Sequence, residues 1–173
     1  MPEDGSKLAD VDALAETNAQ VGLVVPVRGL ERLEPLLAST EGTADANIAF
    51  RRERGQVVAA VKVSADLLLR CQRCLAPFVL RVAGASEVAL VGSEAEVDRV
   101  PEEFETAHCP EGRIRLRELV EEELLLALPA APMHPEGECG AAPGSPTAGD
   151  TTAPTQRPFA QLGEMLGGRD RRN

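Results

Sequence analysis

Between Val57 and Leu69 the apolar residues Val57, Ala59, Val61, Val63, Ala65, Leu67 and Leu69 occupy every second position, while Lys62, Ser64, Asp66 and Arg70 fall on the opposite phase. A side-chain period of two belongs to an extended strand with one buried face. A strand this long must pair along its length, so it predicts a half-buried antiparallel element hairpinned to its neighbour. It runs straight into Cys71-Gln72-Arg73-Cys74. Two thiols with two residues between them, on a turn that closes a strand, can chelate one metal ion, form one disulfide, or pack as small reduced hydrophobes.

Strand signals flank this run on both sides. Ala46, Ile48 and Phe50 alternate before the charged turn Arg52-Glu53-Arg54-Gly55; Phe78, Leu80 and Val82 continue the period after the cysteines, and Glu87 to Val91 reads as a further strand. Val21 to Val27 is a short apolar strand that Pro26 confines to an edge or an end. Leu30, Leu33, Leu36 and Leu37 recur at helical spacing, which predicts a short helix with Pro35 near its first turn, followed by a loop over Ser39 to Thr43. The acidic stretch Ser93 to Cys109 reads as an irregular, exposed connection. From about Arg113 the residues Leu116, Leu119, Val120, Leu124, Ala127 and Leu128 share a helical face, and Pro129 ends the helix. Most of Glu121, Glu122 and Glu123 should be a solvated face, with Glu123 beside the apolar stripe and within reach of an arginine such as Arg70 or Arg73.

The fold class is therefore α+β: an antiparallel meander of four or more strands, one main helix packed on it, and disordered ends. Residues 1–20 are polar and read as a flexible lead-in with a helical turn near Val11 to Ala15; residues 21–139 form a single domain. Residues 140–156, rich in Gly, Pro, Thr and Ala, cannot bury enough apolar surface to offset ordering entropy and read as a linker. Residues 157–173 follow, with Phe159, Leu162 and Leu166 at helical spacing as a docking peptide and Arg169, Arg171 and Arg172 as a basic tip.

Composition narrows the function. With 28 acidic against 18 basic residues, the 173-residue chain carries a net charge of -10. Non-specific binding of a polyanion needs Lys or Arg to displace counterions, so a nucleic acid would be touched locally or through a basic protein. Local contact points are the arginine groups Arg51, Arg52 and Arg54, or Arg113, Arg115 and Arg117. There is no Trp or Tyr on which to stack single-stranded bases. No apolar run is long enough to span a membrane, and the first residues carry no secretory pattern, so the expected compartment is the cytoplasm. With two histidines, no nucleophile motif and no Gly-rich phosphate loop, the chain reads as a binding protein with no small-molecule substrate, not an enzyme.

A metal site on Cys71 and Cys74 needs two more soft or borderline ligands. His134 and Cys139, in one loop after the helix, supply an imidazole and a thiolate, and the four together would make a closed structural zinc centre. His108-Cys109 competes, but adjacent side chains diverge, which ranks this pair lower. A thiol redox sensor built on Cys71 and Cys74 is the alternative function.

The segments RCQRCLAPF and LRELVEEELLLALPAAPMHPEGEC, with a late PFAQL, closely resemble the bacterial YceD family of large ribosomal RNA subunit accumulation proteins. The resemblance runs from about Val21 to Leu166. It implies a non-enzymatic part in synthesis, processing or stability of large-subunit (23S) ribosomal RNA. The expected partners are that RNA, directly or indirectly, and/or, given the acidic net charge, basic ribosomal or rRNA-processing proteins. The family's metal-like motif falls on Cys71, Cys74, His134 and Cys139, and its helix acid and leucines on Glu122, Glu123, Leu124, Leu126 and Leu128. Glu122, Glu123, Phe159 and Leu162 are the expected partner contacts. Arg157 stands where Asn is usual, the linker is longer, and fewer cysteines follow the helix than in many relatives.

Overall fold

The structure is a computed structural model that describes residues 5–140 and Gln161. The chain divides into Met1–Ala142 and Pro143–Asn173. Gln161, an exposed turn residue, is what is described of the second unit, so the expected linker, the Phe159 and Leu162 peptide and the basic tip lie outside the described residues.

In chain order the elements are β1 (Leu8–Asp10), α1 (Val11–Glu16), β2 (Gln20–Pro26), β3 (Thr43–Glu53), β4 (Gln56–Arg70), β5 (Pro77–Val91), α2 (Glu94–Val97), β6 (Glu105–His108), β7 (Arg113–Arg115) and α3 (Leu116–Ala127). A five-stranded sheet runs in the order β2-β3-β4-β5-β6. Its first four strands form an antiparallel meander, and β6 lies parallel to β5. The expected α+β class, with one main helix on a largely antiparallel sheet, is what the chain adopts.

Period-two patterning dictates the core. Ala44, Ala46, Ile48 and Phe50 of β3 and the predicted face of β4 from Val57 to Leu69 are all buried, while Lys62, Asp66 and Arg70 face out. The main helix lays Leu116, Leu119, Val120 and Leu124 over this face against β4 and β5. Burying four such side chains stabilises the layer by roughly 1.5–3 kcal/mol each before entropy is counted.

Several local readings change. The two strands expected at Phe78 to Val82 and Glu87 to Val91 are one 15-residue strand, because the register with β4 runs unbroken from Arg70↔Pro77 to Val57↔Leu90. Its small centre at Gly84 lets α3 approach: a methyl there would overlap Glu123 Oε1 and meet Ala127 Cβ at 3.2 Å. The helix expected over Leu30 to Leu37 shrinks to a 3-10 turn at Glu34–Leu36. Pro35 has no N–H to continue a helix, and Leu37 is already extended and bridged to Leu69. Leu30 and Leu33 are buried all the same. Arg113–Arg115 belongs to a strand paired with Leu8–Asp10, so the main helix starts at Leu116. The stretch Ser93 to Cys109 is not an irregular connection throughout. It holds α2 and β6, and Cys109 is buried, its amide donating to Val91 O at 2.7 Å. Within residues 1–20, Asp10 caps α1 by accepting from Ala13 N at 3.1 Å, and Val11 and Ala15 enter the core.

Candidate metal centre

The end of β4 turns through backbone bonds that leave its sulfurs pointing one way. Cys71 N donates to Ala76 O (3.0 Å) and Leu75 N to Cys71 O (2.9 Å), with Leu75 in the left-handed region at φ 63°. The amide of Arg73 donates to Cys71 Sγ at 3.4 Å, and Arg70 Nη1 donates to Leu75 O at 3.1 Å. The second half of the site arrives from α3. Leu128 is extended and Pro129 cannot prolong the helix, so the chain turns back towards the cysteine turn, where Gln72 N donates to Pro132 O at 2.8 Å. The His134 ring then lies 4.7 Å from that of Phe78, tilted by 36°.

These constraints bring Cys71, Cys74, His134 and Cys139 together, with their ligand atoms all within 4.8 Å of one another. Cys71 Sγ is 3.5 Å from Cys139 Sγ, and His134 Nδ1 is 3.4 Å from Cys74 Sγ and 3.8 Å from Cys139 Sγ. A tetrahedral zinc with ordinary bond lengths sets its sulfurs about 3.8 Å apart and sulfur to nitrogen about 3.5 Å apart. The donor set therefore fits a four-coordinate ion in both kind and spacing. Cys71 and Cys74 are buried, and His134 and Cys139 are half-buried.

The electrostatics favour thiolate at Cys71. Burial pushes the Cys71 thiol up, but hydrogen bonds from the backbone at Cys74, His134 and Arg73, joined by the His134 ring, outweigh it and bring it to about 5. Cys139 is held above the ordinary thiol range by burial and by the neighbouring sulfurs of Cys74 and Cys71, against the pull of Arg73. The Arg73 guanidinium is in turn raised, first by its hydrogen bond to Cys139. The part of Phe78 was not read from the sequence.

His108 and Cys109 are not brought to this cluster. Burial, with Asp12 and Asp10 nearby, pushes the Cys109 thiol to about 11. Glu123 is buried at 6 % exposure but does not meet Arg70 or Arg73; it accepts from the Ser86 hydroxyl. Glu122 pairs with Arg32, raising that guanidinium. Glu121, expected on the solvated face, instead accepts from the amides of Arg32 (2.7 Å) and Leu33 (3.2 Å) and ties the helix to the 30s loop. Of the arginine groups, Arg51 pairs with Glu53 and Glu87, Arg52 with Asp12, Arg54 with Glu103 and Arg115 with Glu118.

The fold and site define a class: a small α+β protein whose sheet end and post-helix loop are clasped by a metal-competent Cys3His cluster. The family model described as "Large ribosomal RNA subunit accumulation protein YceD" matches residues 59–166. The Haemophilus influenzae protein of the same description is 31% identical over 141 residues, covering 79% of this chain and 81% of the relative. The chain belongs to the YceD family. No solved structure matches it. The family is named for accumulation of the large ribosomal RNA subunit, a designation that describes no catalysed reaction, and no helix among the described residues is long and apolar enough to cross a membrane.

Proposed function

We propose that this protein is a cytoplasmic, non-catalytic factor that promotes synthesis, processing or stability of 23S rRNA by binding, with a structural zinc held by Cys71, Cys74, His134 and Cys139. The observation that carries the zinc reading is the mutual spacing of four donors within 4.8 Å, drawn from a turn and from a loop beyond the helix. Four protein ligands leave a tetrahedral ion no open position, which suits a clasp and not a reaction centre. A net charge of -10 and the pairing of Arg51, Arg52, Arg54 and Arg115 with acids favour a basic ribosomal or processing protein as the direct contact, with the RNA reached through it.

The test is complementation in a bacterial strain lacking its own family member. The wild-type chain should restore the ratio of 23S to 16S rRNA, and the Cys74→Ser chain should not. Ribosomal proteins should co-purify with the wild-type chain after RNase treatment. Failure of the wild-type chain to restore the ratio sinks the role, and complete loss of partners after RNase sinks the protein-contact version. The redox alternative acquires a second thiol pair, since Cys71 and Cys139 sulfurs lie 3.5 Å apart. Metal-free protein that is folded and readily oxidised to a disulfide would favour it over zinc.

A further inference from the structure

Between the flank of the main helix and the end strand β6 runs a groove of about 680 Å³. Val61 and Val88 of the sheet, Ala107 of β6, and Ile114, Leu119 and Leu126 line it with apolar surface. Leu126 is 60% exposed at the rim, an outlier in a helix whose other large apolar side chains are buried or half-buried. On its far side β6 has no neighbouring strand among the described residues.

The walls are acidic. Glu105 stands on the β6 side and Glu118 and Glu122 on the α3 side, with Glu121 and the buried Glu123 further along; Arg32 and His108 are the remaining ionisable side chains of the lining. Glu105 has no ion-pair partner among the described residues. Glu118 and Glu122 are held by Arg115 and Arg32 in exposed pairs, which are weak enough to exchange for an incoming cation. Register puts Glu105 beside Val88, on the same sheet face as the groove floor.

We infer that this groove binds a basic segment of a partner protein, its apolar side chains against Leu126 at the rim and Ala107 of β6, and its lysines or arginines between the Glu105 wall and the Glu118 and Glu122 wall. The inference rests on the binding role proposed above and names its partner class. Charge complementarity selects the occupant. A phosphate backbone would be repelled by the same carboxylates, and a second copy of a chain with net charge -10 brings the wrong sign. Opposed acidic walls over an apolar floor also ask for a chain that alternates the two kinds of residue, as an extended segment does.

The experiment uses full-length, metal-loaded protein and an end-blocked peptide of alternating lysine and leucine, followed by calorimetry and by amide NMR shifts. The expected result is saturable binding with shifts at Val88, Ala107, Leu119 and Leu126. Affinity should fall about tenfold or more in the Glu105→Lys/Glu118→Lys variant, as like charges face each other. Leu126→Asp, at an exposed position, should weaken binding while leaving the melting temperature unchanged. Equal affinity for a peptide of alternating lysine and glycine, shifts elsewhere on the sheet, or undiminished binding by the variants would overturn the inference. So would the same shifts produced by a single-stranded RNA, or by concentration alone through self-association. Rescue of the 23S ratio by a groove variant that no longer binds would remove the groove from the role, whereas wild-type protein that binds the peptide without restoring rRNA would remove the role and leave the groove.

Discussion

At its first residue β4 turns back on β3 through Arg54 and Gly55, and at its last it enters the cysteine turn. The first turn is settled by its own two residues, which take φ 48° and 86°, the left-handed pair that matches the twist of a tight hairpin. Exposed ion pairs of Arg51, Arg52 and Arg54 fringe it without holding it. The second turn is built differently. It closes on Cys71 N and Ala76 O, but its sulfurs find their partners in His134 and Cys139, beyond three more strands and the main helix. The buried thiols repeat the contrast. Cys71 is drawn down to about 5 by donors converging on sulfur, whereas Cys109, near Asp12, is driven up to about 11. One residue type, buried in both places, is drawn towards thiolate at one end of the strand and held as a thiol at the other, because only one end supplies hydrogen-bond donors.

Removing His134, the distant member of the cluster, separates the two turns most strongly. His134→Ala should release near-stoichiometric zinc, read by elemental analysis of protein purified without chelator, and cost at least about 3 kcal/mol, a fraction of the roughly 10–16 kcal/mol that structural zinc contributes in isolated fingers. Wild-type protein that is folded and metal-free would leave the cluster a packing feature. Next in size comes Gly84→Ala, midway between the ends, where the added methyl must push Glu123 off Ser86. A loss of about 1–3 kcal/mol in urea melts is expected, and Glu123→Gln should not rescue it, since the obstacle is steric. Gly55→Ala tests the self-sufficient turn and should cost about 1 kcal/mol without altering metal content. Metal loss in that variant would show the two ends to be coupled.

A further effect is confined to alkaline pH. Cys109 is raised from an ordinary 9.0 to about 11, so folded protein keeps a proton that the unfolded chain gives up. Its contribution to stability is complete below pH 9 and declines as pH rises towards 11. Cys109→Ala should flatten that part of the stability profile, measured by urea melts at successive pH values; an unchanged slope would assign it to other groups.

The legible parts of the fold were those with a local cause. Alternation from Val57 to Leu69 named every buried residue of that face, and Leu116 to Leu128 named the helix stripe. Where a short pattern competed with long-range pairing, pairing won. Ala83, Gly84 and Ala85 look like a break between strands, yet fourteen or so consecutive backbone partners on β4 carry the ladder across them. Arg113–Arg115 reads as the first turn of a helix but is claimed by Leu8–Asp10. Glu105–His108 carried too few apolar residues to be read as a strand, and only the parallel edge of β5 makes it one.

From its residues alone the chain disclosed an α+β meander, its main helix, the C-x-x-C turn and its family. Each of these is written in periodicity, turn chemistry or a motif of fixed spacing. Tertiary structure alone decided that His134 and Cys139, and not His108 and Cys109, meet Cys71 and Cys74. It likewise sent Glu123 to Ser86 and left an acidic groove beside β6. The reason is physical: a ligand set or a groove is a distance between elements, and that distance is set by how sheet and helix pack, which no local run of side chains encodes.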